Sequence, residues 1–214
     1  GCMNQAEKSE RTREMICAAA RQLFAENGYD STTMQDIVGA SGMSKGAIYH
    51  HFSSKQEVLG SVIQGELQYL NAFVEDLAAQ SDVSVIDRMT SLTAHMVASG
   101  PQNGIGRANW VSEVPEALLG SLRHSLTTLA PHLEQMLRQG MESGEIGCAF
   151  PGEVAEVLVL LVDVWIDPLI VSDSYERKCQ KVDFIAAFLE RFDAPVLSED
   201  SIAVIKNGVG RFYE

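Results

Sequence analysis

Thr33-Met34-Gln35-Asp36-Ile37-Val38-Gly39-Ala40-Ser41-Gly42-Met43-Ser44-Lys45-Gly46-Ala47-Ile48-Tyr49-His50-His51-Phe52 is the stretch whose reading decides the fold. Thr33 and Asp36, three residues apart, form a capping box that starts a short helix burying Ile37 and Val38. Ser41-Gly42-Met43 interrupts it, Ser44 caps a second start, and Lys45 to His51 is helical in pattern until Ser53-Ser54 reopens the chain. Helices over 33–40 and 44–51 joined by a tight glycine turn make a helix-turn-helix, whose second helix can lie in a major groove. Lys45-Gly46-Ala47 carries no bulk to hold the backbone away from DNA, and Ser44 and Lys45 place donors where the helix dipole already favours phosphate. Tyr49 and His50 follow one turn on with hydrogen-bonding tips, while Ile48 and Phe52, at i and i+4, face inward. The same spacing fits an ordinary three-helix pack in which Thr33 and Ser44 are only caps, Tyr49 packs on the first helix and His51 is a packing residue.

Working outward, residues 10–27 put Met15, Ile16, Ala19, Ala20, Leu23 and Phe24 on one stripe and close at Asn27-Gly28. From Lys55 the apolar spacing runs unbroken through Leu77, predicting one long helix over 55–78. Further helices are expected at 83–98, 105–113, 116–143, 151–171, 175–192 and 198–206, with Pro131 kinking or splitting the third of these six. Alternating strand patterns are absent, so the class is all-α. The expected organisation is an N-terminal three-helix unit over 1–54 and a larger helical domain over 55–214.

The 214 residues are 46% hydrophobic, enough for a substantial core, which excludes a disordered chain. The net charge of −13 argues against a protein that coats nucleic acid electrostatically. Its distribution matters more: residues 1–60 carry six basic and seven acidic side chains, and the remainder carries ten against twenty-two. Cys2, Cys17, Cys148 and Cys179 lie far apart, with no C-x-x-C pair and no histidine at ligand spacing, so neither a zinc site nor a redox dithiol is expected. A reduced, cytoplasmic setting fits, and no apolar leader precedes the charges that begin at Glu7. Val154 to Val171 is the most apolar stretch, but Glu156, Asp163 and Asp167 interrupt it, which makes it a helix buried against protein and leaves no expected membrane partner.

Gly28-Tyr29-Asp30-Ser31-Thr32-Thr33-Met34-Gln35-Asp36-Ile37 and Gly42-Met43-Ser44-Lys45-Gly46-Ala47-Ile48-Tyr49-His50-His51-Phe52-Ser53-Ser54-Lys55 resemble the DNA-binding signature of the TetR family of transcriptional repressors. The resemblance covers about residues 10–60, with the turn glycine, Tyr49, Phe52 and Lys55 at the family's spacing. It implies a double-stranded DNA operator as partner. Thr33, Tyr49, His50 and Lys55 match phosphate-contacting positions, and Gln35, Lys45, Gly46 and Ala47 match positions that touch or approach base edges; Ser44 is the donor at the helix start. Beyond residue 60 the likeness is architectural, implying a helical ligand-binding and dimerisation domain, a homodimer and a small-molecule effector, with no cofactor and no metal.

One short helix contacts too few base pairs for useful specificity, whereas two related by a twofold read half-sites about 34–36 Å apart or a multiple of it. Helices 151–171 and 175–192 are the natural interface, through Val157, Leu158, Leu161, Trp165, Phe188, Leu189 and Phe192 among others. Met89, Met96, Trp110, Met136 and Trp165 are soft or large side chains suited to a cavity and equally to ordinary core. Asp163 and Asp167 stand at i, i+4 on an apolar helix, so either a cationic ligand or an internal arginine such as Arg107 or Arg123 should meet them. The rival classes are an enzyme or binding protein, for which no phosphate loop, G-x-S-x-G or H-E-x-x-H is present, and a thiol-responsive regulator using Cys148 or Cys179.

Overall fold

The computed structural model describes residues 4–99 and 114–213, and the secondary structure among them is entirely helical. The expected helix over 105–113, Arg107, Trp110 and Cys2 lie outside the described residues. Two compact units are present, and the long helix that follows the helix-turn-helix is shared: its residues through Glu66 belong to the first unit, as do 114–117, and its residues from Leu67 belong to the second.

In the first unit, α1 (Gln5–Asn27) starts earlier than its apolar stripe requires. Asn4 caps it, accepting from the Glu7 amide at 2.8 Å, while the Glu7 carboxylate accepts from the Asn4 amide at 2.7 Å; this polar signal is invisible to hydrophobic periodicity. The capping box of Thr33 and Asp36 then opens α2 (Met34–Ser41), and Ser44 caps α3 (Lys45–His51) through the Ala47 amide at 3.2 Å. Gly42 between them sits at φ 67°, ψ 10°, a left-handed conformation that a side chain would strain, which is why the turn needs glycine there. Ile16, Ala20, Phe24, Ile37, Ile48, Phe52, Val58, Leu59 and Val62 form the buried core of this unit.

Helix α4 (Lys55–Ala79) is capped by Ser54, which accepts from the Glu57 amide at 3.1 Å. Its other end lies in the second unit and shows the usual problem of a helix C-terminus, carbonyls with no intrahelical donor. Arg88, only 1% exposed, solves it from α5 (Val85–Ser99). Its Nη1 donates to the Leu77 carbonyl at 3.4 Å and to Gln139 Oε1 at 2.5 Å, and Gln139 Nε2 donates to the Ala78 carbonyl at 3.1 Å. A cation is also the favourable charge at this pole of the helix.

The segment read as 116–143 is a helical run made of α6 (Pro115–His124), a wide π-helical turn Ser125–Leu129 and α7 (Ala130–Glu142). Pro131 lacks the amide that would bond the fourth residue before it, and its ring crowds that carbonyl; the wide turn, in which the Ala130 amide reaches Ser125, relieves both. Over 151–171 the expectation is corrected: α8 (Pro151–Leu160) passes through a second π-turn, Leu161–Trp165, and helix ends there. Pro168 removes another amide, and the Asp167 carboxylate turns back to accept from the Leu169 amide at 2.8 Å. Beneath this bend, Lys178 of α9 (Tyr175–Arg191), 0% exposed, donates to the Val171 carbonyl at 2.6 Å, and Lys181 donates to the Trp165 carbonyl at 3.0 Å and to Asp173 at 2.5 Å. Helix α10 (Glu199–Gly210) packs on α5 and α9 and extends past the 206 expected, because Gly208 admits Val97 of α5 too closely for any side chain.

Replacing Arg88 by Met removes every donor from a buried site while roughly keeping volume, leaving Gln139 Oε1 and the Leu77 carbonyl short of partners. The expected loss in unfolding free energy is about 2–4 kcal/mol, measured by urea denaturation, at about 1–3 kcal/mol per orphaned buried group.

Candidate functional site

Helix α3 turns one face in and one out. Ile48 and Phe52 are buried, whereas Ser44, Lys45, Gly46, Tyr49 and His50 are exposed, Tyr49 at 45%, and Ala47 is half-buried. A Cβ added at Gly46 would meet nothing within 4 Å, so the outer surface of the helix start is open for a backbone to approach. Lys45 Nζ lies 5.8 Å from the Tyr49 ring centroid, which keeps a cation and a phenol on one outward ridge. Gln35, exposed on α2, flanks that ridge in sequence position.

Two predicted contacts are partly engaged elsewhere. The Thr33 hydroxyl donates to Asp36 Oδ2 at 2.7 Å and accepts from the Asp36 amide at 3.1 Å; that hydroxyl and the Thr33 amide, which donates to the same oxygen at 2.8 Å, hold the Asp36 carboxyl below its ordinary range. Lys55 Nζ donates to the Tyr29 carbonyl at 2.8 Å and sits 4.1 Å from the Tyr29 ring centroid, tying the α1–α2 connection to the start of α4. An ammonium has three donors, so this bond leaves two for an anion. Arg13 was missed by sequence reasoning. Its Nη1 donates to the His51 carbonyl at 3.3 Å, its Nη2 to Ser61 Oγ at 3.4 Å, and its guanidinium covers the Phe52 ring at 4.5 Å, so α1 grips the end of the outward helix. The signal was present: Arg13 precedes Ile16 by three and Ala20 by seven, placing a cation on the buried stripe.

In the second unit, the seven candidate pocket residues divide. Met89 and Met136 belong to the apolar core, Met96 is half-buried against it, and Trp110 is among the residues not described. Trp165 meets Lys181 at 4.9 Å and the Phe184 ring at 5.4 Å, both on α9. Asp167 turns to the Leu169 amide and lies within the influence of Lys178, so among the described residues the cation acting on it is a lysine. Asp163 is different. It sits in the second π-turn, where burial drives its carboxyl up to about 6; a hydrogen bond from Ser125, in the first π-turn, opposes that rise and the nearby Asp167 charge adds to it. Among the described residues no arginine or lysine pairs with it.

Cys148 is fully buried, burial raises the Cys17 thiol, and Cys179 shares a hydrogen bond with Tyr175. Among the described residues no helix is long and apolar enough to cross a membrane, and no three His, Cys, Asp or Glu side chains converge as a metal site.

A helix-turn-helix with a caged inner face and an open outer ridge of Lys45, Tyr49 and His50 is the arrangement of a DNA-binding unit. Residues 16–62 match the family described as bacterial regulatory proteins, tetR family. The chain is 28% identical to the HTH-type transcriptional regulator UidR of Escherichia coli (strain K12) over 155 residues, 67% of this chain and 73% of that protein. It is 36% identical to the HTH-type transcriptional repressor KstR2 of Rhodococcus jostii (strain RHA1) over 92 residues, 43% of each. In fold it is similar to a crystal structure of a TetR-family transcriptional regulator from Mesorhizobium loti, with a TM-score of 0.63 and 20% identity over 87% of this chain and 98% of that one. Residues 16–62 thus carry the DNA-binding region of the tetR family, and the relatives that the chain resembles are named as transcriptional regulators.

The Asp163 shift has a consequence for stability. The folded protein holds this proton up to about pH 6, whereas the unfolded chain releases it near the ordinary 3.8, so ionisation destabilises the fold progressively as pH rises between those values and constantly above them. Asp163→Asn removes that cost. It is expected to stabilise the protein at pH 7 by roughly 2–3 kcal/mol, with the gain vanishing near pH 4, as read from urea midpoints at the two pH values.

Proposed function

We propose that this regulator binds a palindromic operator as a homodimer and releases it when a small hydrophobic molecule enters the C-terminal unit. The observation that carries the DNA half is the outer ridge of α3, where Lys45, Tyr49 and His50 stand exposed around an unobstructed Gly46. In this reading Ser44, Lys45 and the half-engaged Lys55 hold phosphates, Thr33 lends its cap, and Gln35, Gly46 and Ala47 approach base edges. The repressor name of a relative supports repression as the sign of control. Cytoplasmic placement goes with an operator as target.

Dimerisation is supported by apolar side chains that the chain leaves uncovered on two consecutive helices: Val157 and Leu160 on α8, and Phe184 on α9 with Phe192 just past its end, Phe184 at 53% exposure. Leu158, Val182, Ile185 and Leu189, which helical spacing offered for the same face, instead pack inside the chain's own core. Two copies related by a twofold would cover the exposed set as a four-helix bundle.

For the ligand half, the π-turn holding Ser125 leads directly into α7, and α7 carries Gln135 and Gln139, which cap the Ala78 carbonyl of α4. A ligand that favours one setting of that turn reaches α4, which is one continuous helix back to Lys55. Operator affinity then shifts by at most the ligand's differential affinity for the two settings, about tenfold per 1.4 kcal/mol.

Selection of bound duplexes from a randomised pool, followed by footprinting, should return a palindrome. On that operator, Lys45→Ala is expected to weaken specific binding by about 1–3 kcal/mol and flatten the salt slope. Lys55→Ala should lower affinity across all operator sequences and also lower stability, because it frees the Tyr29 loop. Unchanged affinity in both would remove these contacts from the reading. Val157→Glu with Phe184→Glu is expected to give helical monomers by light scattering that no longer hold the palindrome; an intact dimer would place the interface elsewhere.

A further inference from the structure

Helix α3 is seven residues long and is pinned to its core by Ile48 and, just past its end, Phe52, which share one stripe of its surface. Anchors at i and i+4 stop the helix from sliding but leave it free to roll and tilt about that stripe. A third attachment is needed before Lys45, Tyr49 and His50 point in a fixed direction. Arg13 of α1 supplies one. Its Nη1 donates at 3.3 Å to the carbonyl of His51, the last residue of α3 and one of the carbonyls that a helix end leaves without an intrahelical donor. Its guanidinium lies 4.5 Å from the Phe52 ring centroid, and a cation is the favourable charge at that pole of the helix.

The other arm of the same guanidinium reaches a different helix. Nη2 donates to Ser61 Oγ of α4 at 3.4 Å, so one rigid planar group spans the end of α3 and the second turn of α4. Further contacts register α1 against this part of α4: the Cys17 thiol is hydrogen-bonded to the same Ser61, and Arg21 Nε pairs with Glu66 Oε1 at 2.9 Å. Arg13, Cys17 and Arg21 stand at i, i+4 and i+8 on one stripe of α1, and their partners all precede Leu67, within the first unit. Both terminal nitrogens of Arg13 hold protein oxygens, and the guanidinium lies on a ring that is 1% exposed, so it is turned into the unit and away from a phosphate.

We propose that Arg13 is a positioning residue for operator recognition: without touching DNA, its guanidinium locks the tilt of α3 against α4 and thereby selects the spacing between half-sites. This rests on the operator reading above and names the group that holds its geometry. In a twofold dimer each α3 reads one half-site, and the separation and mutual rotation of the two readers follow from how each α3 is set against its own α4. One base pair more or fewer between the half-sites changes their separation by about 3.4 Å and their mutual rotation by about 35°. A ridge that tilts freely meets several spacings, each with an ordering cost, whereas a locked ridge meets one.

The test uses the full chain, the selected operator, and two copies of that operator with one base pair added or removed between the half-sites. Affinities are measured by fluorescence anisotropy at several salt concentrations, after urea midpoints have shown each variant to be folded. The wild type is expected to prefer the selected spacing by about tenfold or more, and Arg13→Met to prefer it by about threefold or less. The salt slope of Arg13→Met should equal that of the wild type, because no phosphate contact is lost. Ser61→Ala, which removes only the α4 side of the fork, should fall between the two. Cys17→Ala removes the other hydrogen bond of Ser61 and should keep the wild-type preference. In the free protein, hydrogen exchange of the α3 amides should quicken by about tenfold in Arg13→Met. A salt slope lowered by about one in Arg13→Met makes Arg13 a phosphate contact and overturns the proposal. A wild-type spacing preference in Arg13→Met or Ser61→Ala, an equal loss in Cys17→Ala, or unchanged α3 exchange in Arg13→Met overturns it as well. A wild-type chain that selects no duplex fails the operator reading and this proposal together, whereas those other results fail the proposal alone.

Discussion

A helix of seven residues does not persist in water by itself, because nucleating it costs more than its few hydrogen bonds return. Helix α3 exists because Ile48 and Phe52 are inserted into the core made by α1, α2 and the start of α4. That insertion also decides which side chains face outward, since fixing Ile48 inward turns Lys45, Tyr49 and His50 out. The Arg13 guanidinium over Phe52 and on the His51 carbonyl holds the far end of the helix, and Gly42 sets its entry angle. DNA recognition by this chain is thus a property of a small core before it is a property of any contacting residue.

Electrostatics act on a second level. The body is strongly acidic, so attraction to a polyanion has to come from few, well-placed groups, and long-range steering contributes little. Two of the groups proposed for that role already work within the fold: Lys55 is bonded to Tyr29, and Thr33 to Asp36. A lysine so anchored presents its remaining donors in a fixed direction, which lowers the ordering cost of meeting a phosphate. In the C-terminal unit Asp173 is balanced by two lysines beneath the bend after α8, whereas Asp163 has no lysine or arginine partner among the described residues.

Two prolines of the C-terminal unit, Pro131 and Pro168, link backbone to chemistry. Pro131 is accommodated by the π-turn that carries Ser125, and Pro168 ends the helix just past the π-turn that carries Asp163. Each proline removes an amide that a regular helix would use, and the backbone widens or stops to avoid an orphaned carbonyl. Arg88, Gln135 and Gln139 meet the same demand at the end of α4 by bringing side-chain donors from α5 and α7. The C-terminal unit is therefore joined at points where helices are imperfect.

The sequence by itself determined the all-helical class, the helix-turn-helix with its inward and outward residues, and the break at Pro131, because caps, glycine turns and apolar spacing act within a few residues of one another. It could not show the end of α8 at the second π-turn, nor that Leu189 and Leu158 are core while Phe184 and Val157 are surface, since an apolar residue reads alike on either face of a doubly apolar helix. Asp163 and Asp167 looked equivalent at i, i+4; only the fold separated them, by turning one to Lys178 and the Leu169 amide and the other to Ser125. Arg13 and Arg88 found their partners across 38 and 51 residues of chain. Which donor meets which acceptor at such separations is settled by packing, because the energy of a buried polar group depends on what surrounds it and that is not written in its neighbours along the chain.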